Sequence, residues 1–226
     1  MPTSLANNRS VARQVTLTAI ALVALVLVLV GLAIAVLTER STRAQVVASV
    51  GDTAQSVAQS LDAADNTNRE LVQLTMKGFQ RYFEATMQLD EASGELRSYG
   101  ALVNEDYGSV DKFASETGGI ATVFAKKGDD FVRITTSVKN DKGERQMGTP
   151  LGRTDPAYAT VSKGEPYTGV TVVNDKPFMG HYLPAKDASG KVIALLFIGN
   201  DISVFHAMLQ KQVAQTKFFE HGGTYV

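Results

Sequence analysis

The chain has 226 residues and a balanced charge, with 22 lysines and arginines against 23 aspartates and glutamates and a formal net charge of -1. This length predicts one substantial domain with an accessory segment, and the near-neutral charge provides no field that would attract nucleic acid. The absence of cysteine excludes disulfides, thiolate metal sites and cysteine nucleophiles, and His181, His206 and His221 lack metal-ligand spacing. We therefore expect no metal, no cofactor and no nucleic-acid partner.

Residues 15–37 form an apolar stretch without a charged side chain. A helix of this length reaches about 34 Å, which is enough to cross a bilayer core. The apolar region of a secretory signal is shorter, about 7 to 15 residues, so we predict an uncleaved transmembrane helix. Two arginines lie on each side, but residues 1–14 carry no acid and Glu39 follows the stretch. This pattern favours a short cytoplasmic N-terminus and a single-pass plasma-membrane protein whose remaining chain is outside.

Residues 38–92 contain no proline and are predicted to form one long helix. Small or apolar residues recur there in alternating steps of three and four, which is the coiled-coil period. These positions are Val47, Val50, Ala54, Val57, Leu61, Ala64, Leu71 and Thr75. Asn68 lies on the same stripe, where a buried amide can fix the register of a dimer. The stripe fits either a homodimeric coiled coil or a single helix that lies on its own domain.

The rest of the chain is predicted to be an α+β domain. A short helix is expected from an N-cap at Ser109 to about residue 116, ended by Gly118 and Gly119. Five strand patterns follow at short intervals, so their neighbours should be antiparallel. The strands are 120–125, 131–138, 168–173, 178–183 and 192–199.

The last of these strands is apolar without alternation, which predicts a central place in the sheet. Further helices are expected over 155–162 and 202–219. The long helix should pack on this five-stranded antiparallel sheet.

Four segments of the chain resemble the extracytoplasmic Cache sensor family, in the type that fuses Cache 3 and Cache 2 sequences. They are VDKFASETGGIATVF (110–124), GDDFVRITTSVKNDKGERQMGTPL (128–151), DPAYATVSKGEPYTG (155–169) and KDASGKVIALLFIGND (186–201). The resemblance implies a PAS-like sensor domain over 93–201 that lies in the periplasm and binds a small molecule. It also implies a role in chemotaxis or histidine-kinase signalling at the inner membrane.

Two features depart from the family pattern. Members often carry an aromatic-Met-Thr-x-Tyr-Asp-Pro run on the fourth strand, where this chain has FMGHYLP (178–184) and lacks the threonine and the aspartate. Members also usually continue into further sensor sequence, a second span and an output region. Residues 202–226 are expected to hold a C-terminal helix and the start of such a segment, so the chain is either a fragment or a protein without its own output domain.

The second predicted strand carries the candidate ligand contacts. Alternation places Phe131, Arg133, Thr135 and Ser137 on one face. Arginine offers a planar fork of donors that suits a carboxylate, and hydroxyls beside it can hold the remaining ligand oxygens. We therefore predict that Arg133 anchors a small carboxylate or another carbonyl-bearing metabolite. The alternative is that Arg133 pairs with one of the two aspartates of the preceding turn at the sheet edge.

The fourth predicted strand offers His181 or Tyr182 to the same pocket. Their side chains point to opposite faces, so the two residues can hardly line it from the same side. Tyr167 lies near a turn, where it either covers a cleft or packs in the core, and Tyr158 is expected to pack in the core.

The sequence favours binding over catalysis. It holds no nucleophile elbow, no phosphate-binding glycine loop and no metal-binding helix, and Asp129 and Asp130 lie in a turn where both are solvated. The leading hypothesis is a ligand-responsive sensor that passes a displacement through the sheet and the long helix to the membrane span. The alternative is a membrane-tethered interaction or assembly protein that dimerises through its long helix.

Overall fold

The computed structural model describes residues 5–215, which fall into two compact units, one up to Ala58 and one from Gln59. The first unit is helical and holds the greater part of helix α1 (Leu5–Gln80). Its stretch Thr16–Leu37 has 22 residues and a mean hydropathy of 3.3, and none of it is buried. By length and composition this stretch is sufficient to cross a membrane, a property that it shares with signal sequences near an N-terminus. The predicted N-terminal apolar helix is confirmed.

In the second unit α1 lies on its own sheet. Val72, Met76 and Phe79 of the helix are buried in the core that covers the sheet. The interpretation of a single helix on its own domain therefore applies to this part of α1. Leu71, a member of the predicted coiled-coil stripe, is half exposed. A homodimer stays a prediction.

Helix α1 ends at Gln80, so the prediction of a helix to residue 92 is wrong. The ring of Phe79 meets the rings of Tyr82 and Phe83 edge-on, with centroids 6.1 and 5.3 Å apart. The amides of Arg81, Tyr82 and Phe83 each donate to the carbonyl three residues earlier, which tightens the last turn. Residues 79–92 contain neither proline nor glycine. The helix therefore ends where aromatic side chains pack together, and not at a helix-breaking residue.

Three short strands that the sequence pattern did not predict follow α1. They form an antiparallel sheet of β1 (Gln88–Asp90), β2 (Glu95–Ser98) and β3 (Ala101–Leu102). The Oγ atom of Ser98 accepts a hydrogen bond from the amide of Glu84 at 2.9 Å. This bond ties the small sheet to the segment that leaves α1.

Helix α2 (Gly108–Thr117) lies where the short helix was predicted, but its N-cap is Tyr107 and not Ser109. No side chain bonds from the N-cap position itself. The Oδ1 atom of Asp106 accepts from the amide of Gly108 at 3.0 Å, which satisfies one of the free amides of the first turn. Gly118 ends the helix in a left-handed conformation with a φ of 71°, as expected from the sequence.

The five predicted strands are all present in one antiparallel sheet with the order β5-β4-β8-β7-β6. They are β4 (Ile120–Lys127), β5 (Asp130–Thr136), β6 (Tyr167–Val173), β7 (Lys176–Lys186) and β8 (Val192–Asp201). The apolar strand β8 is central, as predicted. Helix α3 (Tyr158–Val161) is a single turn within the predicted range. Helix α4 (Ser203–Gln215) begins next to the predicted start, and the predicted end at residue 219 lies outside the described residues.

Two hydrophobic cores cover opposite faces of the five-stranded sheet. On one face, here called the α1 face, α1 and α2 bury side chains that include Ala121, Val123 and Ile198. On the other, here called the α3 face, α3 and the segments beside it cover Phe124, Phe131, Tyr182, Leu195 and Phe197. The predicted α+β arrangement of a helix on an antiparallel sheet is thus confirmed.

Candidate functional site

A β-bulge in β5 decides which of its side chains share a face. Phe124 of β4 lies opposite Arg133, but the next residue back, Val123, lies opposite Thr135, so Ile134 is the extra residue. The alternation of β5 is therefore interrupted between Arg133 and Thr135. Arg133 shares the α3 face with Phe124, whereas Thr135 shares the α1 face with Val123.

The bulge corrects the prediction for Thr135 and Ser137. The hydroxyl of Thr135 is buried and donates to the carbonyl of Asp106 at 2.8 Å. Ser137 lies beyond the end of β5, and its Oγ atom accepts from the amide of Ala121 at 2.9 Å. Both hydroxyls form hydrogen bonds with neighbouring backbone atoms, and neither lies beside the Arg133 guanidinium.

Arg133 is half-buried and has no carboxylate partner in the described part of the chain. Its Nη1 atom donates to Gln146, at 3.2 Å to the backbone carbonyl and 3.1 Å to Oε1. The guanidinium lies 5.5 Å from the centre of the Phe124 ring, within range of a cation–π contact. Its Nε atom is shielded from solvent and has no acceptor among residues 5–215. Burial lowers the pKa of Arg133 from its ordinary value, and the Tyr182 phenol acts in the opposite direction.

The alternative prediction, an Arg133 paired with the preceding turn, is wrong. Asp130 instead accepts from the Nε atom of Arg153 at 2.9 Å. Phe131 follows Asp130 in β5. Its side chain is 1% exposed, and its ring meets the ring of Tyr158 edge-on with centroids 6.4 Å apart. Phe131 thus shares the α3 face with Arg133, as predicted.

Two tyrosines share the α3 face with Arg133. Tyr182 of β7 lies opposite Phe197 of β8 and opposite Tyr167 of β6. The ring centroids of Tyr182 and Phe197 are 4.4 Å apart, and those of Tyr182 and Tyr167 are 6.3 Å apart. We call the group that these side chains form with the arginine the Arg133 cluster. Its members are Phe124, Phe131, Arg133, Tyr167, Tyr182 and Phe197.

Charged and polar groups surround the hydroxyl of Tyr182. Burial raises the pKa of Tyr182 strongly, and the negative charge of Asp155 adds to this shift. A hydrogen bond from Thr171 and the positive charge of Arg133 act in the opposite direction. The Oδ1 atom of Asp155 also accepts from the amide of Ala157 at 2.8 Å, which fixes the carboxylate at the start of α3. The phenol is therefore neutral and can serve as a hydrogen-bond donor at physiological pH.

A row of three glycines crosses the sheet next to these rings. Gly169, Gly180 and Gly199 lie directly opposite one another on β6, β7 and β8. A β-carbon at Gly169 would stand 2.6 Å from the hydroxyl of Tyr167, and one at Gly180 would stand 3.0 Å from the Phe197 ring. Aromatic side chains therefore occupy the space above Gly169 and Gly180.

Three cavities bordered by described residues lie away from Arg133. Cavities of about 420 and 340 Å³ follow α1 and β7 and share Gln80 and Leu183, and one of about 190 Å³ lies near Lys126 and Lys191. Arg133 borders none of the three. The guanidinium is thus distinct from these three cavities, and its immediate neighbours are Phe124 and Gln146.

His181 lies on the α1 face, opposite to Tyr182. Its Nδ1 atom is 2.7 Å from the hydroxyl of Thr168, which also accepts from Nε2 of Gln73 at 3.2 Å. Arg69 of α1 donates to the carbonyl of Thr168 at 2.6 Å. His181 also borders the cavity of about 340 Å³ together with Lys77. It therefore links α1 to the sheet and does not belong to the Arg133 cluster.

Acid should destabilise the fold through His181. Burial lowers the pKa of His181 from its ordinary value of 6.5, so the unfolded chain binds a proton at this residue more readily than the folded chain. Stability should therefore fall as the pH drops below about 6.5, by at most about 1.4 kcal/mol per pH unit. Thermal unfolding of the full chain in detergent between pH 7.5 and 5.5 measures this slope.

His181→Asn is the matched control for the pH dependence, because asparagine can accept from Thr168 without titrating in this range. The difference in unfolding free energy between the wild type and the variant should shrink as the pH falls. Parallel pH profiles of the two proteins would contradict a role for His181.

Gln146, Asp155 and Thr171 escaped the sequence prediction. Alternation along β6 places Thr171 on the same face as Tyr167, so Thr171 could have been found from the strand pattern. Gln146 and Asp155 lie in the irregular segment between β5 and β6, where no periodicity predicts the direction of a side chain.

The domain is thus an antiparallel five-stranded sheet with a long helix on one face and a half-buried arginine on the other. The family model of the Cache 3/Cache 2 fusion domain matches residues 36–226, and the chain belongs to this family. The resemblance in the sequence is thereby confirmed, as is the prediction of an extracytoplasmic sensing module.

Two solved structures of a Campylobacter jejuni chemoreceptor, Tlp3, are similar to this chain. The ligand-binding domain in complex with L-valine is 12% identical, with a TM-score of 0.34, over 71% of this chain and 67% of that chain. The sensory domain (CcmL) is 10% identical, with a TM-score of 0.33, over 71% and 68%. No curated protein matches the chain.

Proposed function

We propose that this protein senses a small carboxylate, or another carbonyl-bearing metabolite, through Arg133 on the α3 face of its sheet. The single observation that carries the proposal is the state of that guanidinium. It is half-buried, it has no carboxylate partner among the described residues, and its Nε atom has no acceptor there. A buried donor without a partner is unfavourable by about 1 to 3 kcal/mol, which an incoming oxygen would recover.

The side chains around Arg133 favour a small ligand with an apolar part. Phe124, Tyr182 and Phe197 are buried and offer aromatic surfaces, and the Tyr182 hydroxyl is a neutral donor. Ligand sites commonly combine such apolar walls with a few polar groups that fix orientation. The proposed site therefore uses Arg133 for the carboxylate and the aromatic rings for the body of the ligand.

The closed arrangement of the Arg133 cluster supports a sensor in preference to a passive binder. Because aromatic rings fill the space above Gly169 and Gly180, ligand entry requires a rearrangement. A ligand shifts an equilibrium between two conformations only if it binds them with different affinities. In this proposal the ligand fits the opened Arg133 cluster and not the closed one, so binding shifts the equilibrium toward the opened conformation.

The wider proposal places this sensor on a single-pass anchor and in a homodimer. The anchor is supported by the apolar stretch Thr16–Leu37. The homodimer is supported by Val47, Leu71 and Leu74, which are large apolar side chains of α1 that are exposed in the single chain. The output of the signal is proposed to be of the chemoreceptor or histidine-kinase type, and we propose no catalytic activity for this chain.

A thermal-shift screen of the full chain in detergent tests the proposed function. The panel comprises organic acids, amino acids and purines, each at the ionic strength of a sodium chloride reference. A ligand at about 100 times its Kd adds roughly 2.7 kcal/mol, which corresponds to a rise in Tm of about 5 to 10 °C for a domain of this size. We expect carboxylates to stabilise the protein and their neutral amides to do so much less.

Stabilisation by no member of the panel would contradict sensing and favour the interaction protein. Stabilisation by purines or neutral amides, without a response to carboxylates, would contradict Arg133 as the anchor while leaving a sensor role intact.

A further inference from the structure

The loop after β5 is held against Arg133 by backbone hydrogen bonds. The amide of Arg133 donates to the carbonyl of Thr149 at 3.0 Å, and the amide of Gly148 donates to the carbonyl of Arg133 at 2.9 Å. The amide of Leu151 donates to the carbonyl of Phe131 at 2.8 Å. The loop thus pairs with β5 much as a further strand would, which fixes the position of the residues that precede it.

Arg145 fixes the same loop at its other side. Its guanidinium contacts both carboxylate oxygens of Asp111 in α2, at 2.8 and 2.6 Å, and donates to the carbonyl of Thr136 at 2.6 Å. It also lies 4.0 Å from the centre of the Tyr107 ring. The backbone next to Arg145 is therefore well anchored, independently of any contact that Gln146 makes.

Gln146 follows Arg145 and reaches in two directions. Its carbonyl and Oε1 accept from Nη1 of Arg133 at 3.2 and 3.1 Å. Its Nε2 atom donates to Oδ1 of Asn174 at 2.7 Å, in the turn between β6 and β7. The amide oxygen of Gln146 thus occupies one donor of the guanidinium and leaves Nε without an acceptor among the described residues.

We infer that Gln146 is an internal stand-in for the ligand, a positioning residue whose amide oxygen holds Arg133 and is displaced when a carboxylate binds. The inference rests on the proposed function and extends it to what sets the affinity of the site and the charge that it accepts. Gln146 is half-buried and sits in a loop, so its side chain can leave while the anchored backbone stays.

The neutrality of Gln146 explains why the site should prefer an anion. An amide satisfies a hydrogen-bond donor but leaves the positive charge of Arg133 without a counter-charge. A carboxylate supplies both, in a planar geometry that matches the guanidinium fork. A carboxylate on the edge of the fork that includes Nη1 competes with the amide for that donor, and the strength of the amide contact sets the threshold for ligand binding.

Two substitutions at this position should have opposite effects. Gln146→Ala removes the competitor, so acetate, propionate and pyruvate should bind about tenfold more tightly, as expected when a hydrogen bond to a charged group no longer has to be broken. Gln146→Glu supplies a permanent carboxylate, so the response to the same anions should be lost. The glutamate should also raise the ligand-free Tm by about 2 to 4 °C, because it compensates the charge of Arg133.

Asn174→Gly is the matched control, because it removes the second contact of Gln146 without touching Arg133. Asn174 has a φ of 50°, which glycine adopts without strain. This variant should keep the response to carboxylates. If Asn174→Gly loses the response as fully as Gln146→Glu does, disorder of the loop and not charge accounts for the effect, and the inference fails.

The outcomes separate the inference from the proposed function. A wild type and a Gln146→Ala variant that both ignore every carboxylate contradict the proposed function and the inference with it. A responsive wild type together with an equally responsive Gln146→Glu variant contradicts the role of Gln146 alone. Titrations of the full chain in detergent, followed by Tm, provide all of these measurements.

Discussion

Replacing Arg133 by alanine should abolish the thermal stabilisation that carboxylates give to the wild-type chain. Arg133 carries the positive charge proposed to meet the ligand, and its Nε atom is the donor without an acceptor in the described residues. Removal of one partner from a buried, charged hydrogen-bonded pair costs about 2 to 5 kcal/mol of binding free energy. The affinity should therefore fall by at least about 30-fold. Titration of the full chain with each carboxylate, read as the change in Tm, measures this loss.

Two further variants make the Arg133 result specific. Arg133→Lys keeps the charge but not the planar fork, so we expect an intermediate affinity. Arg153→Ala removes an arginine whose side chain is 63% exposed and paired with Asp130, and it should leave the response unchanged. A folded Arg133→Ala protein with the wild-type response would rule out the anchor.

Replacing Phe79 by alanine should destabilise the second unit more than any surface substitution on α1. The Phe79 side chain is completely buried and meets the rings of Tyr82, Phe83 and Phe113 edge-on, the last with centroids 5.2 Å apart. Truncation of a buried phenylalanine removes about 3 to 5 kcal/mol of stability, because burial is lost and a cavity remains. For a domain of this size the Tm should drop by roughly 10 °C. Thermal unfolding of the full chain in detergent measures the shift.

Glu70→Ala is the control for Phe79, since it shortens an exposed side chain of the same helix to its β-carbon. Its effect on the unfolding free energy should stay within about 0.5 kcal/mol. Equal losses for the two variants would mean that α1 does not dock on the sheet through Phe79.

The strand pattern of the sequence was sufficient for the five-stranded sheet, because each strand alternates or is continuously apolar and each turn carries its own signal. The apolar run of β8, for example, places it in the centre of the sheet. The end of α1 was missed for a physical reason. It depends in part on the contact of Phe79 with Phe113 of α2, and a contact between residues so far apart in the sequence leaves no local pattern.

The candidate site was predictable in part. Arg133 and Phe131 were placed on one face correctly, since alternation holds up to the bulge. Thr135 was placed wrongly, because a bulge of one residue inverts every face beyond it and no glycine marks it. Gln146 could not be found at all, since its direction is set by loop bonds to Arg133 and Asn174.

The strand pair β6–β7 brings contacts on the α3 face and contacts on the α1 face of the sheet close together. The Tyr167–Tyr182 pair and the Thr168–His181 pair are consecutive rungs of one ladder and point to opposite sides. The first rung belongs to the Arg133 cluster, and the second holds α1 through Arg69 and Gln73. Because consecutive residues of a strand face opposite sides, the tyrosine contacts on one layer and the contacts that hold α1 on the other are a single residue apart along both strands.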